Sequence, residues 1–438
     1  MTDLPAGPRA PRALQTLRYG LDPYGFFEAA QRAHGDVFTV RVMAETWVVL
    51  AHPDAVRELY AHGPDEVDSG VANASLRPLL GTRNLLLLDG EEHLRRRRIV
   101  LPPLHGEHLR GYETVIRDAS RRALAEWPRD VAAPTLERLQ LLTLRVVLQA
   151  VFGESGGPDT ERFAAALRRL MAWTTDPRRG IVFGFLGPDR LSALRGFRRQ
   201  VAEVDALLLE RIARRRADRG LAGRTDTLSL LLQAVGEDGE RLSDGELRDE
   251  LMTLLVAGHE TTAAALAWTL QELARDEAAQ ARLAAGEPGL AEAAVTETLR
   301  LHPPVPLGSV RRLRRPMTVA GHDLPAGATA ATCSLLIHRR ADVYDDPLAW
   351  RVDRFLGTRP PAGAWLPFGG GVRRCVGAAL AQFEARIVLD ELLRTVRLRP
   401  AGAAGRRPGR RGIVLVPARG GPVVINPRPK AVHADAHP

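Results

Sequence analysis

The chain has 438 residues, 45% of them apolar, and a formal net charge of +9 at pH 7. Only two cysteines are present, which excludes a disulfide framework, a zinc site built from cysteines alone and an iron–sulfur cluster that needs four thiolates. The 52 acidic residues lie interspersed with the 61 basic ones, so the charge predicts no nucleic-acid-binding surface.

The N-terminal sequence has neither the apolar core of a signal peptide nor a run approaching the about 20 apolar residues that a membrane span requires. The sequence therefore predicts no membrane span, and the near absence of cysteine favours the reducing cytoplasm. We expect residues 1–19 to be a flexible segment and residues 20–427 to form a single domain. Residues 428–438 are polar and contain proline, which predicts a disordered tail.

The predicted elements follow a simple order along the chain. Two early strands are predicted within residues 37–52, where apolar and β-branched residues lie between turn residues. Helical periodicity then dominates over residues 54–301. Short strands and turns return over residues 303–340, and a last hairpin is predicted over residues 412–427 with two adjacent glycines at its turn. The pattern predicts a mainly α fold with small β-sheets.

One predicted helix is unusually long. It opens with a capping box at Ser243 and Glu246 and continues without proline to about residue 276, a length of about 45 Å. Its centre is apolar nearly all round, which indicates a buried helix, yet it carries the polar sequence GHETT. Two interpretations stay open: a satisfied polar network with threonine hydroxyls bonded to the helix backbone, or a local distortion at Gly258 and Thr261 where a small ligand meets the backbone.

The decapeptide FGGGVRRCVG, residues 368–377, directly precedes another helical run. Backbone amides and the dipole at the start of that helix favour an ionised Cys375 thiolate. The three consecutive glycines allow the backbone to approach a flat object, and Arg373 is suited to an anionic group on that object. A cysteine ligand, a planar face and an anion together indicate haem, whereas the ordinary alternative is a loop that enters a helix.

Four motifs, in their order and spacing, resemble those of the cytochrome P450 monooxygenases, and the similarity covers residues 20–427. The sequence AGHETT resembles the oxygen-activating helix of the family, and Glu297-x-x-Arg300 resembles its K-helix pair. The sequence VDRF resembles the segment that contributes Arg354, although Val-Asp stands where Pro-Glu is more usual. The decapeptide that begins at Phe368 resembles the haem-ligand loop.

The resemblance implies a mainly α fold shaped as a triangular prism. Haem b (iron protoporphyrin IX) would lie between the I-like helix, which is the long helix above, and the L-like helix, which starts near Gly377. Cys375 would be the iron ligand. The other cofactor-binding residues implied by the family are His93, Arg97, Arg311 and Arg373 at the haem propionates, together with Phe368 and Gly258.

The resemblance also assigns roles to the remaining motif residues. Glu297, Arg300 and Arg354 would form a buried structural network that locks the haem loop, whereas the ordinary interpretation of the i, i+3 pair is a weak surface ion pair. Glu260 and Thr261 would be the catalytic residues, because a positioned acid and alcohol can relay protons to the distal oxygen.

The implied function is insertion of one oxygen atom from O2 into a C–H or C=C bond of a lipophilic small molecule, such as a terpenoid, a fatty acid or a polyketide-type natural product. No flavin or ferredoxin segment follows the haem-ligand loop, so the expected electron donor is an external ferredoxin or flavodoxin with its NAD(P)H-dependent reductase. Two alternatives stay open: a haem-thiolate enzyme for oxidative coupling, desaturation or peroxide-driven oxidation, and a basic binding protein without catalysis.

Overall fold

The computed structural model describes residues 4–154, 156–176, 193–236, 239–402 and 408–428. Helices dominate this part of the chain, which confirms the predicted mainly α fold with small sheets. The α-helices are α1 (Arg12–Leu21), α2 (Pro23–His34), α3 (Pro53–Ala61), α4 (Arg77–Leu80), α5 (Gly90–Val100), α6 (His108–Gly111), α7 (Glu113–Ala125), α8 (Leu136–Phe152), α9 (Pro158–Thr175), α10 (Arg195–Arg216), α11 (Thr227–Gln233), α12 (Asp244–Leu273), α13 (Glu277–Ala284), α14 (Leu290–Leu301), α15 (Ser334–Ile337) and α16 (Ala378–Thr395).

The strands form small sheets that join distant parts of the chain. A five-stranded sheet has the order β1-β2-β8-β5-β3, in which only β2 and β8 run parallel. A three-stranded sheet has the order β4-β12-β9, and two further pairs are β6-β7 and β10-β11. The strands are β1 (Val37–Val42), β2 (Glu45–Leu50), β3 (Val67–Asp68), β4 (Ala132–Pro134), β5 (Leu307–Leu313), β6 (Met317–Val319), β7 (His322–Leu324), β8 (Thr329–Cys333), β9 (Val396–Pro400), β10 (Pro408–Arg411), β11 (Val414–Pro417) and β12 (Pro422–Pro427).

The two early strands are confirmed as β1 and β2, which pair antiparallel. The hairpin predicted over residues 412–427 is wrong, because β11 pairs with β10, whereas β12 pairs with β4 and β9. The reason lies in the glycine pair, since Gly420 and Gly421 both have positive φ and carry the chain from one sheet to the next. The Gly420 carbonyl accepts a hydrogen bond of 2.9 Å from the Thr135 amide, which holds this crossing against the start of α8.

Part of the N-terminal segment 1–19, for which flexibility is predicted, lies in a helix. Residues 12–19 lie in α1, where Gln15 and Tyr19 are buried. Arg12 donates hydrogen bonds to the Met43 and Glu45 carbonyls at the β1–β2 turn. Of the tail 428–438, only Arg428 lies within the described residues.

The long helix α12 has the start that the sequence predicts and ends at Leu273, three residues earlier than expected. Its capping box is formed, with Ser243 Oγ accepting from the Glu246 amide at 3.3 Å and Glu246 Oε2 accepting from the Ser243 amide at 3.0 Å. The first half of α12 packs in an apolar cluster with α8, α9 and α10. Its second half, from Ala263 onward, packs in another cluster with α7, α14 and α16. The segment between the two clusters is the one that carries the GHETT sequence.

Candidate active site

An accessible face interrupts the burial of α12 at its centre. Ala257 is exposed, and Leu254, Gly258 and Thr261 are partly exposed, although the helix is otherwise mostly buried on both sides of them. These four positions are spaced i, i+3, i+4 and i+7, so they lie on one face of the helix. A binding surface therefore lies at the middle of α12.

The structure favours the first of the two interpretations for this segment. The helix runs without a break from Asp244 to Leu273, and the hydroxyls of Thr261 and Thr262 donate to the carbonyls of Ala257 and Gly258 at 2.7 and 2.9 Å. A Cβ on Gly258 would lie 3.3 Å from Val147 Cγ2, so this glycine permits close packing of α12 on α8. The local opening expected at Gly258 and Thr261 is absent from this helix.

Glu260 is held away from the accessible face. Its side chain is 3% exposed, and its carboxylate accepts hydrogen bonds from Gln140 Nε2 at 2.7 Å and from Arg411 Nε at 3.0 Å. Arg411 also donates to Thr175 Oγ1 at 3.2 Å, so it links α12, α9 and the β10–β11 hairpin. Sequence reasoning missed both Gln140 and Arg411, because neither belongs to a motif and both are far from Glu260 along the chain.

Cys375 lies where a loop turns into α16. Its amide donates to the Phe368 carbonyl at 2.9 Å, and the amides of Gly377 and Ala378 hydrogen-bond its sulfur. Burial raises the pKa of the Cys375 thiol, and those amides together with nearby arginines act in the opposite direction. Its side chain is nevertheless accessible, so the sulfur is available to a ligand. A coordinated metal ion would deprotonate this thiol outright.

Local geometry explains why glycine occupies all three positions of this loop. Gly369 and Gly371 both have φ of +63°, a region that favours glycine. A Cβ on Gly370 would collide with the Tyr60 ring. Turn geometry and contact with Tyr60 thus require these glycines, which differs from the close approach to a flat object that the sequence suggested.

Four of the predicted cofactor-binding residues form one basic cluster. Burial, followed by the neighbouring charges of Arg373 and Arg97, lowers the pKa of His93 to about 3, so this imidazole is neutral at pH 7. Burial also lowers the pKa of Arg373 to about 10 and that of Arg311, and the charge of Arg311 contributes to the effect on Arg373. These shifts indicate positive charges confined within a partly buried space.

The counter-charge of this cluster is Asp89, which sequence reasoning missed. It pairs with Arg373 and accepts hydrogen bonds from the Ser69 and Gly70 amides at 2.7 and 2.8 Å. The Arg311 guanidinium donates to Ser69 Oγ at 2.7 Å. Asp89 occupies the N-cap position of α5 without a side-chain hydrogen bond to that helix, so the only advance signal was an acidic residue just before a helix.

The basic cluster provides a test of whether haem fits. Within the described parts of the chain, Asp89 is the one carboxylate that pairs with Arg97, Arg311 or Arg373. With His93 neutral, the cluster keeps an excess of two positive charges, and haem carries two propionates. Haem also needs an iron ligand, which the accessible thiol of Cys375 can provide, and an accessible face of α12. The residues present therefore fit haem.

The structure brings Glu297, Arg300 and Arg354 together in a buried network. Arg300 Nε and Nη2 donate to the two carboxylate oxygens of Glu297 at 2.7 and 2.8 Å, and Arg354 Nε donates to the same group at 3.0 Å. Glu297 and Arg300 are fully buried, so this is not the weak surface pair that the spacing alone would suggest.

His338, which sequence reasoning also missed, connects this network to the loop before Cys375. Its Nδ1 lies 3.0 Å from the Arg300 carbonyl, and its Nε2 accepts a hydrogen bond of 2.7 Å from the Leu366 amide. Burial lowers the pKa of His338 to about 3, which keeps the ring neutral and its Nε2 an acceptor. Phe368, two residues after Leu366, packs edge to face on Trp365.

Comparison with known proteins agrees with this arrangement. The family model "Cytochrome P450" matches residues 5–285 and 289–421. Cytochrome P450 135B1 of Mycobacterium tuberculosis is 39% identical, covering 95% of this chain and 90% of that protein. Cytochrome P450 135A1 of the same species is 35% identical, covering 98% and 96%. The solved structure of cyanobacterial CYP120A1 with retinoic acid bound has a TM-score of 0.83 at 23% identity, covering 98% of this chain and 100% of that one. CYP175A1 from Thermus thermophilus has a TM-score of 0.72 at 28% identity, covering 94% and 96%.

The fold, the cysteine loop and these relatives define one class of protein. The chain belongs to the cytochrome P450 family. Members of this family bind haem and are monooxygenases, and the chain is accordingly an oxidoreductase of that type. None of the helices in the described segments is both long and apolar enough to cross a membrane.

Proposed function

We propose that this cytochrome P450 inserts one oxygen atom from O2 into a C–H or C=C bond of a lipophilic small molecule. The observation that carries the proposal is the exposed Cys375, close enough to Arg97 of the basic cluster for that charge to act on its thiol, and the accessible face of α12 supports it. Cys375 would hold the iron of haem b. His93, Arg97, Arg311 and Arg373 would hold its two propionates. When bound, haem supplies the redox chemistry that activates O2, and the protein supplies position and protons.

Thr261 and Glu260 would act on protons in different ways. The Thr261 hydroxyl lies on the accessible face, where its oxygen can accept a hydrogen bond while it donates its own proton to the Ala257 carbonyl. Glu260 does not reach that face in this structure, because Gln140 and Arg411 hold its two carboxylate oxygens. Proton transfer from Glu260 to Thr261 therefore requires Oε1 to leave Arg411 and turn toward the hydroxyl.

The proposed substrate class is a terpenoid, a fatty acid or a polyketide-type compound. Leu254 and Ala257 present apolar surface on α12, and the partly buried Leu76 and Leu86 belong to the segment before α5. Apolar lining of this kind suits a substrate with few polar groups.

The proposed electron source is an external ferredoxin or flavodoxin with its NAD(P)H-dependent reductase. Arg374, next to Cys375, is exposed, and Arg95 and Arg98 are exposed on α5. An acidic partner would be attracted to this side of the molecule, mainly through its association rate. We also propose a cytoplasmic location, where a free cysteine thiol stays reduced.

The test combines a substrate-binding screen with measurement of the oxygen atoms and electrons used in each turnover. Candidate substrates are ranked by the change they cause in the visible spectrum of the haem-loaded protein. The best ligand is then turned over with a ferredoxin, its reductase and isotopically labelled O2. Monooxygenation predicts one labelled oxygen atom in the product for each two electrons consumed. A coupled or desaturated product without label, or turnover with peroxide alone, would assign the alternative haem-thiolate chemistry. A purified protein that takes up no haem would contradict the proposal altogether.

A further inference from the structure

A buried arginine joins α5 to the first turns of α12. Arg96 is 5% exposed, and its guanidinium spans two glutamates that lie one helical turn apart on α12. Its Nη2 donates to Glu246 Oε1 at 2.6 Å, and its Nη1 donates to Glu250 Oε1 at 3.1 Å. Because i, i+4 positions lie on one helix face, a single fork engages both carboxylates at once.

Both glutamate side chains are held in place on α12, Glu246 by the capping box and Glu250 by burial. Glu246 uses its other oxygen to close the capping box with Ser243, so Arg96 attaches to a side chain that the helix start itself holds. Glu250 is completely buried, and burial raises its pKa to about 7, with Arg96 the main opposing influence. The arginine is thus the group that makes a charge at Glu250 tolerable.

The loop between α4 and α5 is fastened at the same place. Arg96 Nη1 donates to the Arg83 carbonyl at 2.9 Å, and Asp249 Oδ2 accepts from the Thr82 and Arg83 amides at 2.8 and 2.9 Å. A Cβ on Gly81 would collide with the Asp249 carboxylate, so only glycine allows this approach. The loop between α4 and α5, and α5 itself, therefore contact α12 at the neighbouring residues Asp249 and Glu250.

The position of Arg96 relates this contact to the candidate active site. On α5, His93 lies one turn before Arg96, and Arg97 is its immediate neighbour. On α12, Leu254 begins the accessible face one turn after Glu250. We propose that Arg96 is a positioning residue that fixes the haem-propionate residues of α5 relative to the oxygen-activating face of α12. This inference rests on the proposed haem-binding function, and its test separates the two.

The experiment compares Arg96→Met with a matched control elsewhere. Arg215 is 7% exposed and is likewise paired with a carboxylate, Asp226, and with a backbone carbonyl, that of Phe152, but it lies on α10. Thermal unfolding, the rate of haem transfer to apomyoglobin and the reduction potential of the haem are measured for wild type and both variants. Loss of either arginine strands a buried carboxylate, so both variants should have a lower Tm.

A positioning role predicts a difference between the two variants. We expect Arg96→Met to lose haem about 10- to 100-fold faster than wild type and to have a shifted reduction potential, as for other residues that orient ligand-holding groups. Arg215→Met should keep both values near those of wild type. Equal rates of haem loss in the two variants would overturn the inference while leaving the proposed function intact. A wild-type protein that binds no haem would instead overturn the proposed function.

A second variant guards against simple failure to fold. Replacing Arg96 by Met and Glu250 by Leu together removes both buried charges, which is often neutral for stability. We expect this double variant to recover most of the Tm lost in Arg96→Met but to keep the fast haem loss, because the link to α12 is still missing. Recovery of wild-type haem retention along with the Tm would show that Arg96 acts through stability alone, and would contradict the proposal.

Discussion

Glu260 and Arg411 form an ion pair, with Arg411 Nε 3.0 Å from Glu260 Oε1, across 151 positions of sequence. The pair fastens the β10–β11 hairpin to the centre of α12. Removing Arg411 leaves a buried carboxylate with Gln140 as its remaining hydrogen-bond donor. We expect Arg411→Met to lower the free energy of unfolding by about 1–3 kcal/mol.

A denaturant titration in a double-mutant cycle checks this value. The loss should largely vanish when Glu260 is already Gln, because no charge is then stranded. Arg410→Met is the matched control, since Arg410 precedes Arg411 on the same strand but contacts Gly412 and Tyr19 instead. If Arg411→Met lowers the unfolding free energy equally with and without the Glu260 carboxylate, the two residues are not energetically coupled.

Thr261→Ala should uncouple oxygen consumption from product formation. Its hydroxyl lies on the accessible face of α12, whereas that of Thr262 makes the same kind of bond to an i−4 carbonyl from a buried position. We expect the Thr261 variant to consume O2 and electrons at a rate close to wild type but to release mostly hydrogen peroxide. Thr262→Ala should keep the wild-type ratio of product to electrons. Identical coupling in the two variants would remove the proton role of Thr261.

Glu260→Gln should affect the rate more than the coupling. The amide keeps most of the shape of the carboxylate but cannot deliver a proton. We expect O2 consumption with saturating substrate to slow about 100-fold or more, with the ratio of product to electrons retained. Stopped-flow and oxygen-electrode measurements give both quantities, and an unchanged rate would place the proton path elsewhere.

The identity of the iron ligand follows from the two cysteines. Cys375 is accessible, and Cys333 is fully buried in β8, where burial raises the pKa of its thiol to about 12. Cys375→Ser should therefore abolish the spectrum of the reduced carbon monoxide complex that is typical of thiolate ligation. Cys333→Ser should leave that spectrum unchanged. The opposite pattern would exclude the loop at residues 368–377 as the haem-ligand loop.

Removal of any member of the Glu297 network should cost haem content as well as stability. Because the charges are buried, each of Glu297→Ala, Arg300→Ala and Arg354→Ala should lower the free energy of unfolding by several kcal/mol, and the losses should not add. The haem-to-protein ratio after purification is the readout. Glu287→Ala, which breaks a partly exposed pair with Arg282, is the control and should retain full haem content. Normal haem content in Glu297→Ala would contradict the network's role.

Glu384 should contribute stability that decreases as pH rises. This side chain lies buried in α16, its Oε1 has no hydrogen-bond partner, and burial raises its pKa from 4.5 to about 8. The folded protein therefore holds a proton that the unfolded chain releases, and the stability present below about pH 4.5 is lost as pH rises through 8. Each pH unit in this window should cost up to about 1.4 kcal/mol.

Glu384→Gln isolates this contribution. The amide does not titrate, so the unfolding free energy of the variant minus that of wild type should increase between pH 5 and 8. The slopes of unfolding free energy against pH are compared, because the cost of burying an amide does not change with pH and so does not affect the slope. Parallel slopes would mean that Glu384 does not titrate in this range.

Local sequence signals predicted much of the site. The capping box set the start of α12, and the spacing of Phe368, Arg373 and Cys375 marked the loop before α16, because these patterns depend on neighbours within one or two turns. The predicted pairing of β11 with β12 was wrong because strand pairing depends on contacts that are distant in sequence. Two strands on either side of a glycine pair look like a hairpin, and only contacts with β10, β4 and β9 decide their partners.

The residues that sequence reasoning missed share one property. Asp89, His338 and Arg411 each contact a motif residue that lies 38 or more positions away along the chain. An arginine in a short strand or a histidine after a short helix carries no local mark of such a contact. Burial selects these partners, because an unpaired charge or donor in the interior would be costly.

The parallel pairing of β2 with β8 also governs the order in which the chain can assemble during synthesis. Roughly 280 residues separate these strands, and at about 5–20 residues per second the ribosome needs on the order of tens of seconds to supply β8. Until then the nascent β1–β2 hairpin presents an unpaired edge, which invites pairing with other chains. Cys375 emerges later still, so haem held by this residue could be captured only after both strands have been synthesised. Yield of the holoprotein should therefore respond to slower translation and to chaperones that shield strand edges.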